Sequence, residues 1–181
     1  HNSQQRADLL GIDAQPWKHN NGAILIALQR TDSNLWSGMP ALDQWLHQTV
    51  TAIRQHTDRR IVVRAHPRQA VSVPGLEIQR PTPVPGTYDE FDFAHSLSNV
   101  YAVVNHNSSS AVQSILHGVP VVSSLSSIAA PVAVTDFSQI NSLNYCDRRP
   151  WINDLAWSEW TVDEIAQGIP LQLINLSLIH I

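Results

Sequence analysis

Four short apolar runs set the limits on this fold: GAILIAL at residues 22–28, RIVVRA at 60–65, NVYAVVN at 99–105 and VPVVSS at 119–124. Their cores are continuous rather than alternating, as expected of strands covered on both faces in a parallel sheet. Parallel neighbours need a crossover, and the intervening residues supply helices for it. From Ala41 to His56, Leu42, Trp45, Leu46, Val50 and Ile53 recur at spacings of three and four, which predicts an amphipathic helix. The second strand is stopped by Pro67. A short strand is expected around Leu76–Ile78, followed by a proline-rich loop. TYDEFDFAHSL predicts a helix capped by Thr87, with Asp89 and Glu90 in its first turn. A further helix runs from the serines at 108–110 to His117 and ends at Gly118. Repeated β-α-β alternation implies an α/β fold, a parallel sheet between two helical layers.

Outside that pattern the chain is less regular. Residues 1–21 are polar, carry Pro16 and Trp17, and read as a linker or the remnant of a preceding domain. The α/β domain is expected over 22–168. Its later part holds two short helices, PWINDLAWSEW and TVDEIAQG, the second opened by a capping box of Thr161 and Glu164. Trp151, Trp157 and Trp160 are expected to serve packing. Residues 169–181 read as a non-native or disordered tail, because LSLIHI resembles translated read-through of a sequencing adapter. On that reading the natural chain extends beyond both termini.

Composition excludes several classes. Of 181 residues, 43% are hydrophobic and 14% charged, which rules out a mainly disordered chain. A formal charge of -4 argues against a surface built to grip nucleic-acid backbones. The single cysteine, Cys146, precludes an internal disulfide framework and fits a reducing, cytoplasmic setting. No apolar run reaches the roughly 18 residues needed to span a bilayer.

In open parallel sheets, ligands collect beyond the carboxyl ends of the strands, and the polar punctuation of this chain falls there. Gln29, Arg30, Thr31 and Asp32 follow the first strand, and His66, Pro67 and Arg68 the second. Asn105 to Ser110 follow the central strand, and Ser123 to Ser127 the next. Ser108, Ser109 and Ser110 with Asn107 can hold a phosphate at a helix start, or one serine can simply cap the helix. A cap needs a single hydroxyl, which leaves the other serines and the asparagines without a task. His66 either donates a hydrogen bond to a phosphate oxygen or assists a leaving group, or else it is a satisfied structural histidine. Arg68 and Arg30 suit phosphate by charge and shape. Asp32 is either a general base or an Asx-turn residue. The nine histidines lack metal-ligand spacing, so no metal is expected. GxGxxG, GxxxxGK[ST] and Gly-x-Ser-x-Gly are all missing from the sequence.

The ordered set of HP (His66–Pro67), the serine run (Ser108–Ser110), Gly118-Val119-Pro120-Val121 and the QRTD segment from Gln29 resembles the nucleotide-sugar-binding half of a GT-B glycosyltransferase. The similarity is to bacterial capsule-polysaccharide enzymes of the Kdo- and sialyltransferase type and covers roughly residues 22–165. The PWINDLAWSEWTVDEIAQG segment is similar to phage and marine bacterial sequences. The resemblance implies a Rossmann-like three-layer α/β/α fold, one half of a GT-B architecture. It implies a CMP- or UDP-linked nucleotide sugar as co-substrate, with no further cofactor, and His66 and Asp32 in catalytic positions. Gln29, Arg30, Arg68, Asn107 and Ser108–Ser110 would bind the donor phosphate. A glycan or lipid-linked acceptor and an N-terminal α/β domain would complete the enzyme, in the cytoplasm or peripheral at the inner membrane. The alternatives are a sugar-nucleotide epimerase, a glycerophosphotransferase-like enzyme, a phage DNA-base glycosyltransferase, or a non-catalytic scaffold module of a phage or capsule system.

Overall fold

The computed structural model describes residues 3–172. Two compact units are present: residues 14–146, and a smaller unit built from the residues up to 13 and those from 147 onward. The helices are α1 (Ser3–Leu9), α2 (Leu42–Arg54), α3 (Phe93–Ser96), α4 (Ser109–Leu116), α5 (Arg149–Leu155) and α6 (Val162–Ala166). The strands are β1 (Ala23–Ala27), β2 (Ile61–Arg64), β3 (Glu77–Gln79), β4 (Val100–Val104) and β5 (Val121–Val122).

All five strands pair in parallel in the order β3-β2-β1-β4-β5, a Rossmann-like arrangement. Alternation along β1 divides its side chains between two faces. Ile24, Ile26 and Leu28 pack with Ile61, Val63, Ala102, Val104 and Val122 beneath Leu46 and Ile53 of α2. Ile53 is fully buried, which is worth roughly 1.5–3 kcal/mol. Leu25, Ala27, Val103 and Val121 turn to the other face, where α4 lies against β4 and β5 through buried Ala111 and Ile115. Crossovers of one hand leaving β1 and β4 toward opposite sides put α2 and α4 on opposite faces.

Two glycines make the amino edge of the sheet tight. A Cβ at Gly22 would stand 1.8 Å from the Asn99 carbonyl oxygen. Gly118 ends α4 at φ +76, and a Cβ there would meet the Pro16 oxygen at 2.1 Å. Its carbonyl accepts from the Lys18 amide at 2.7 Å, so the segment before β1 is laced to the end of α4.

Three expectations change. Residues 87–90 form no helix: Asp89 adopts φ 63, and α3 starts only at Phe93. Thr87 Oγ1 turns back to donate to the Val84 carbonyl, and the Asp92 carboxylate accepts from the Thr82 amide and from Arg64. The amino-terminal segment read as a linker contains α1, which packs on α5. Residues 169–172 continue as a helical turn, whereas the LSLIHI segment lies outside the described residues.

The smaller unit is organised by Arg6, which is 8% exposed. Its Nε donates to the Ala156 carbonyl at 2.7 Å, Nη1 to Glu164 at 2.6 Å, and Nη2 to the Glu159 carbonyl. The guanidinium lies 4.9 and 4.4 Å from the Trp157 and Trp160 ring centres. The capping box of Thr161 and Glu164 forms as expected, and the Arg6 hydrogen bond is the main reason the Glu164 carboxyl is held down at about 2. Among the described residues, no helix is long and apolar enough to cross a membrane.

Candidate functional site

The chain leaves β1 toward β2 on one side, while β4 pairs with β1 on the other and leads on to β5. The carboxyl ends of β1 and β4 therefore flank the switch point at which open α/β sheets form a crevice. Gln29 lies just beyond β1, 6% exposed, and its Oε1 accepts the Asn107 amide at 2.9 Å. A backbone N–H can only donate, so that bond fixes which way the Gln29 amide faces. Its Nε2 is left buried and without a partner. On the other side, the tips of β1 and β2 are tied by Thr31 and Gln69. The Thr31 amide donates to Gln69 Oε1 at 3.0 Å and Gln69 Nε2 to Thr31 Oγ1 at 3.2 Å.

The serine run does open α4, with extended Ser108 at the N-cap position. Yet no side chain caps the helix. The Ser108 and Ser110 hydroxyls stand 2.6 Å apart, and the Asn105 side-chain amide donates to each at 3.0 Å. The Ser108 carbonyl takes the Ala111 amide. The amides of Ser109 and Ser110 thus stay free at the positive end of the helix, with Gln29 Nε2 held nearby by its bond to the entry turn. Free backbone donors at a helix start are complementary to an anion.

His66 follows β2 on the same edge. Its Nδ1 accepts the Arg68 amide at 3.1 Å, so the neutral ring carries its hydrogen on Nε2. Partial burial, with Arg30 and Arg68 nearby, lowers its pKa and keeps it neutral at pH 7. It is therefore a hydrogen-bond donor and not a standing cation. β1 separates His66 from the serines, an interval of two strand spacings or about 10 Å. The structure brings Gln29, Asn107 and Ser108–Ser110 together, and Arg30, Asp32, His66 and Arg68 form the neighbouring group.

The charged members of that group are already paired. Arg30 Nε donates to Asp32 at 2.7 Å, and Arg68 pairs with Asp89. The hydrogen bond from Arg30 holds the Asp32 carboxyl below its usual range, so Asp32 is an occupied, weakly basic carboxylate. Both ion pairs are exposed and screened by solvent, so either arginine can exchange its partner for a phosphate.

Sequence reasoning set Asn105 and Ser123 at strand ends but missed Arg64, and missed that the three form a row of buried polar residues beneath the crevice. Arg64 pairs in register with Ala27, and one residue past Val104 and Val122 stand Asn105 and Ser123. Arg64, Asn105 and Ser123 are 3–4% exposed. By alternation they face away from the α2 side. Arg64 Nη1, Asn105 Oδ1 and Ser123 Oγ all lack a partner. The readable signal was the ending of three apolar runs: VVR, VVN and VVS each close on a polar residue.

A groove of about 480 Å³ opens at the opposite, amino edge, between Gly22, Arg60, Glu77 and Asn99. Its charges are self-satisfied: Arg60 binds Glu77 at 2.5–2.9 Å, and Arg59 sits 3.7 Å over the Tyr101 ring. Unpaired buried polar atoms, not concavity, distinguish the carboxyl edge as the candidate site. Neither a protein-family model nor a curated protein matches this chain.

Proposed function

We propose that the larger unit binds the phosphate of a nucleotide-activated sugar, CMP-linked in the first instance, as the donor half of a glycosyltransferase. The observation that carries this reading is the uncapped start of α4 beside the unpaired Gln29 amide at the switch point. The ordered HP, serine and GxPV motifs supply the sugar-nucleotide part of the reading.

Transfer breaks the bond between the anomeric carbon and a phosphate oxygen as an acceptor hydroxyl attacks that carbon. Negative charge then grows on the departing phosphate. The Ser109 and Ser110 amides and Gln29 Nε2 hold that phosphate, and donors already in place lower the barrier because they need no reorganisation. The His66 Nε2–H adds a neutral donor from β2, and Arg30 and Arg68 are released from their carboxylates to face the charge. A second α/β domain provides the acceptor and its base.

The test is calorimetric titration with CMP, UDP and inorganic phosphate. CMP should bind, and His66→Ala should weaken it by about tenfold, the equivalent of one hydrogen bond to a charged group. No heat with any pyrimidine nucleotide would overturn the reading.

A further inference from the structure

We propose that Asn105 is a positioning residue that keeps α4 open for an anion by holding away the hydroxyls that would otherwise cap it. This rests on the anion-site reading above for its functional half and stands alone for its structural half.

Serine at an N-cap ordinarily accepts an amide of the first turn. Here Ser108 occupies that position with extended backbone, and its hydroxyl accepts no backbone amide. The reason lies one turn back, at the end of β4. Asn105 Nδ2 donates to Ser108 Oγ and Ser110 Oγ at 3.0 Å and reaches the Ser108 carbonyl at 3.2 Å. That carbonyl can only accept, which fixes the amino group toward the serines and leaves Oδ1 as the unpaired acceptor. At 3% exposure Asn105 cannot swing into solvent to release them. Two hydroxyls that could stabilise the helix are thus drawn inward by one buried amide, and the Ser109 and Ser110 amides remain available.

The second, independent observation is Gln29. It is 6% exposed, bonded through Oε1 to the Asn107 amide in the turn that enters α4, and its Nε2 donors are unpaired. A buried donor held against a helix start that no side chain caps is chemistry prepared for an anion.

The test uses the full chain, amide hydrogen exchange, and phosphate and CMP titrations. Ser108→Ala takes the hydroxyl away from Asn105 and Ser110, so it is read by exchange within α4 and not by stability. If Asn105 has drawn that hydroxyl away, the Ser110 amide should exchange at the parent rate relative to the rest of α4. A working cap would leave that amide bare and speed its exchange at least about threefold, and that result overturns the proposal. Asn105→Ala frees the hydroxyls. Exchange at the Ser110 amide should slow at least about threefold relative to the rest of α4, while phosphate and CMP bind about tenfold more weakly. A merely structural asparagine predicts faster exchange throughout α4, and that outcome also overturns it. If Asn105→Ala does not fold, the Ser108→Ala exchange result decides alone. Failure of the wild-type chain to bind phosphate or CMP refutes the anion-site reading, whereas slower exchange in Asn105→Ala still upholds the structural half.

Discussion

The two edges of the sheet are built on opposite principles. At the amino edge, the arginines have partners: Arg60 has Glu77, and Arg59 has the Asn21 side chain and the Tyr101 ring. Gly22 and Gly118 there press backbone against backbone. At the carboxyl edge the chain leaves Gln29 Nε2, Arg64 Nη1, Asn105 Oδ1 and Ser123 Oγ buried and unpaired. A buried polar atom without a partner costs roughly 1–3 kcal/mol. One edge is therefore finished for stability, and the other retains a cost that binding can offset.

The contrast can be broken most severely by Gly22→Ala. The new Cβ would meet the Asn99 carbonyl, and the expected loss is about 3 kcal/mol or more, read from denaturant midpoints. A loss under about 1 kcal/mol would mean that the amino edge is not tight. At the carboxyl edge, Gln29→Glu keeps an acceptor for the Asn107 amide and replaces the unpaired donor with a carboxylate oxygen. CMP binding should fall by at least about tenfold, and unchanged affinity would place the anion elsewhere. Ser123→Ala removes an unsatisfied hydroxyl and should be neutral or stabilising by up to about 1 kcal/mol. Its mirror, Arg60→Ala, breaks an exposed, solvent-screened ion pair and should leave the denaturant midpoint nearly unchanged.

The smallest effect is a pH dependence. The folded His66 has a pKa below 6.5, chiefly through desolvation, and His106 shares both direction and cause. The unfolded chain therefore binds these protons more readily. Stability should be fully present above pH 6.5 and fall as the pH drops through and below that value. His66→Gln should flatten the melting-temperature profile between pH 7 and 5. A bound phosphate should raise the His66 pKa, visible as a move of its NMR titration midpoint to higher pH.

Much of the sheet could be read from the chain because fully covered strands leave continuous apolar runs, and the crossover helix α2 announces itself through the spacing of Leu42, Leu46 and Ile53. The serine helix and the Thr161 capping box are equally local signals. What could not be read depends on distant partners. Helix α1 is held by Arg6, a charge whose partners lie about 150 residues away, so the segment looks like a polar linker. Asp92, not Thr87, precedes α3, because Arg64 of β2 claims its carboxylate and Asp89 turns left-handed. The serines drew notice, but that Asn105 would take their hydroxyls depends on three-dimensional proximity at the end of β4.

The same Arg6 has a consequence for biosynthesis. Translation delivers α1 well before residues 156–164, which hold the acceptors of its guanidinium among the described residues, so Arg6 leaves the ribosome ahead of these partners. The parallel sheet can assemble in the meantime, leaving closure of the terminal helical cluster as a late, long-range event.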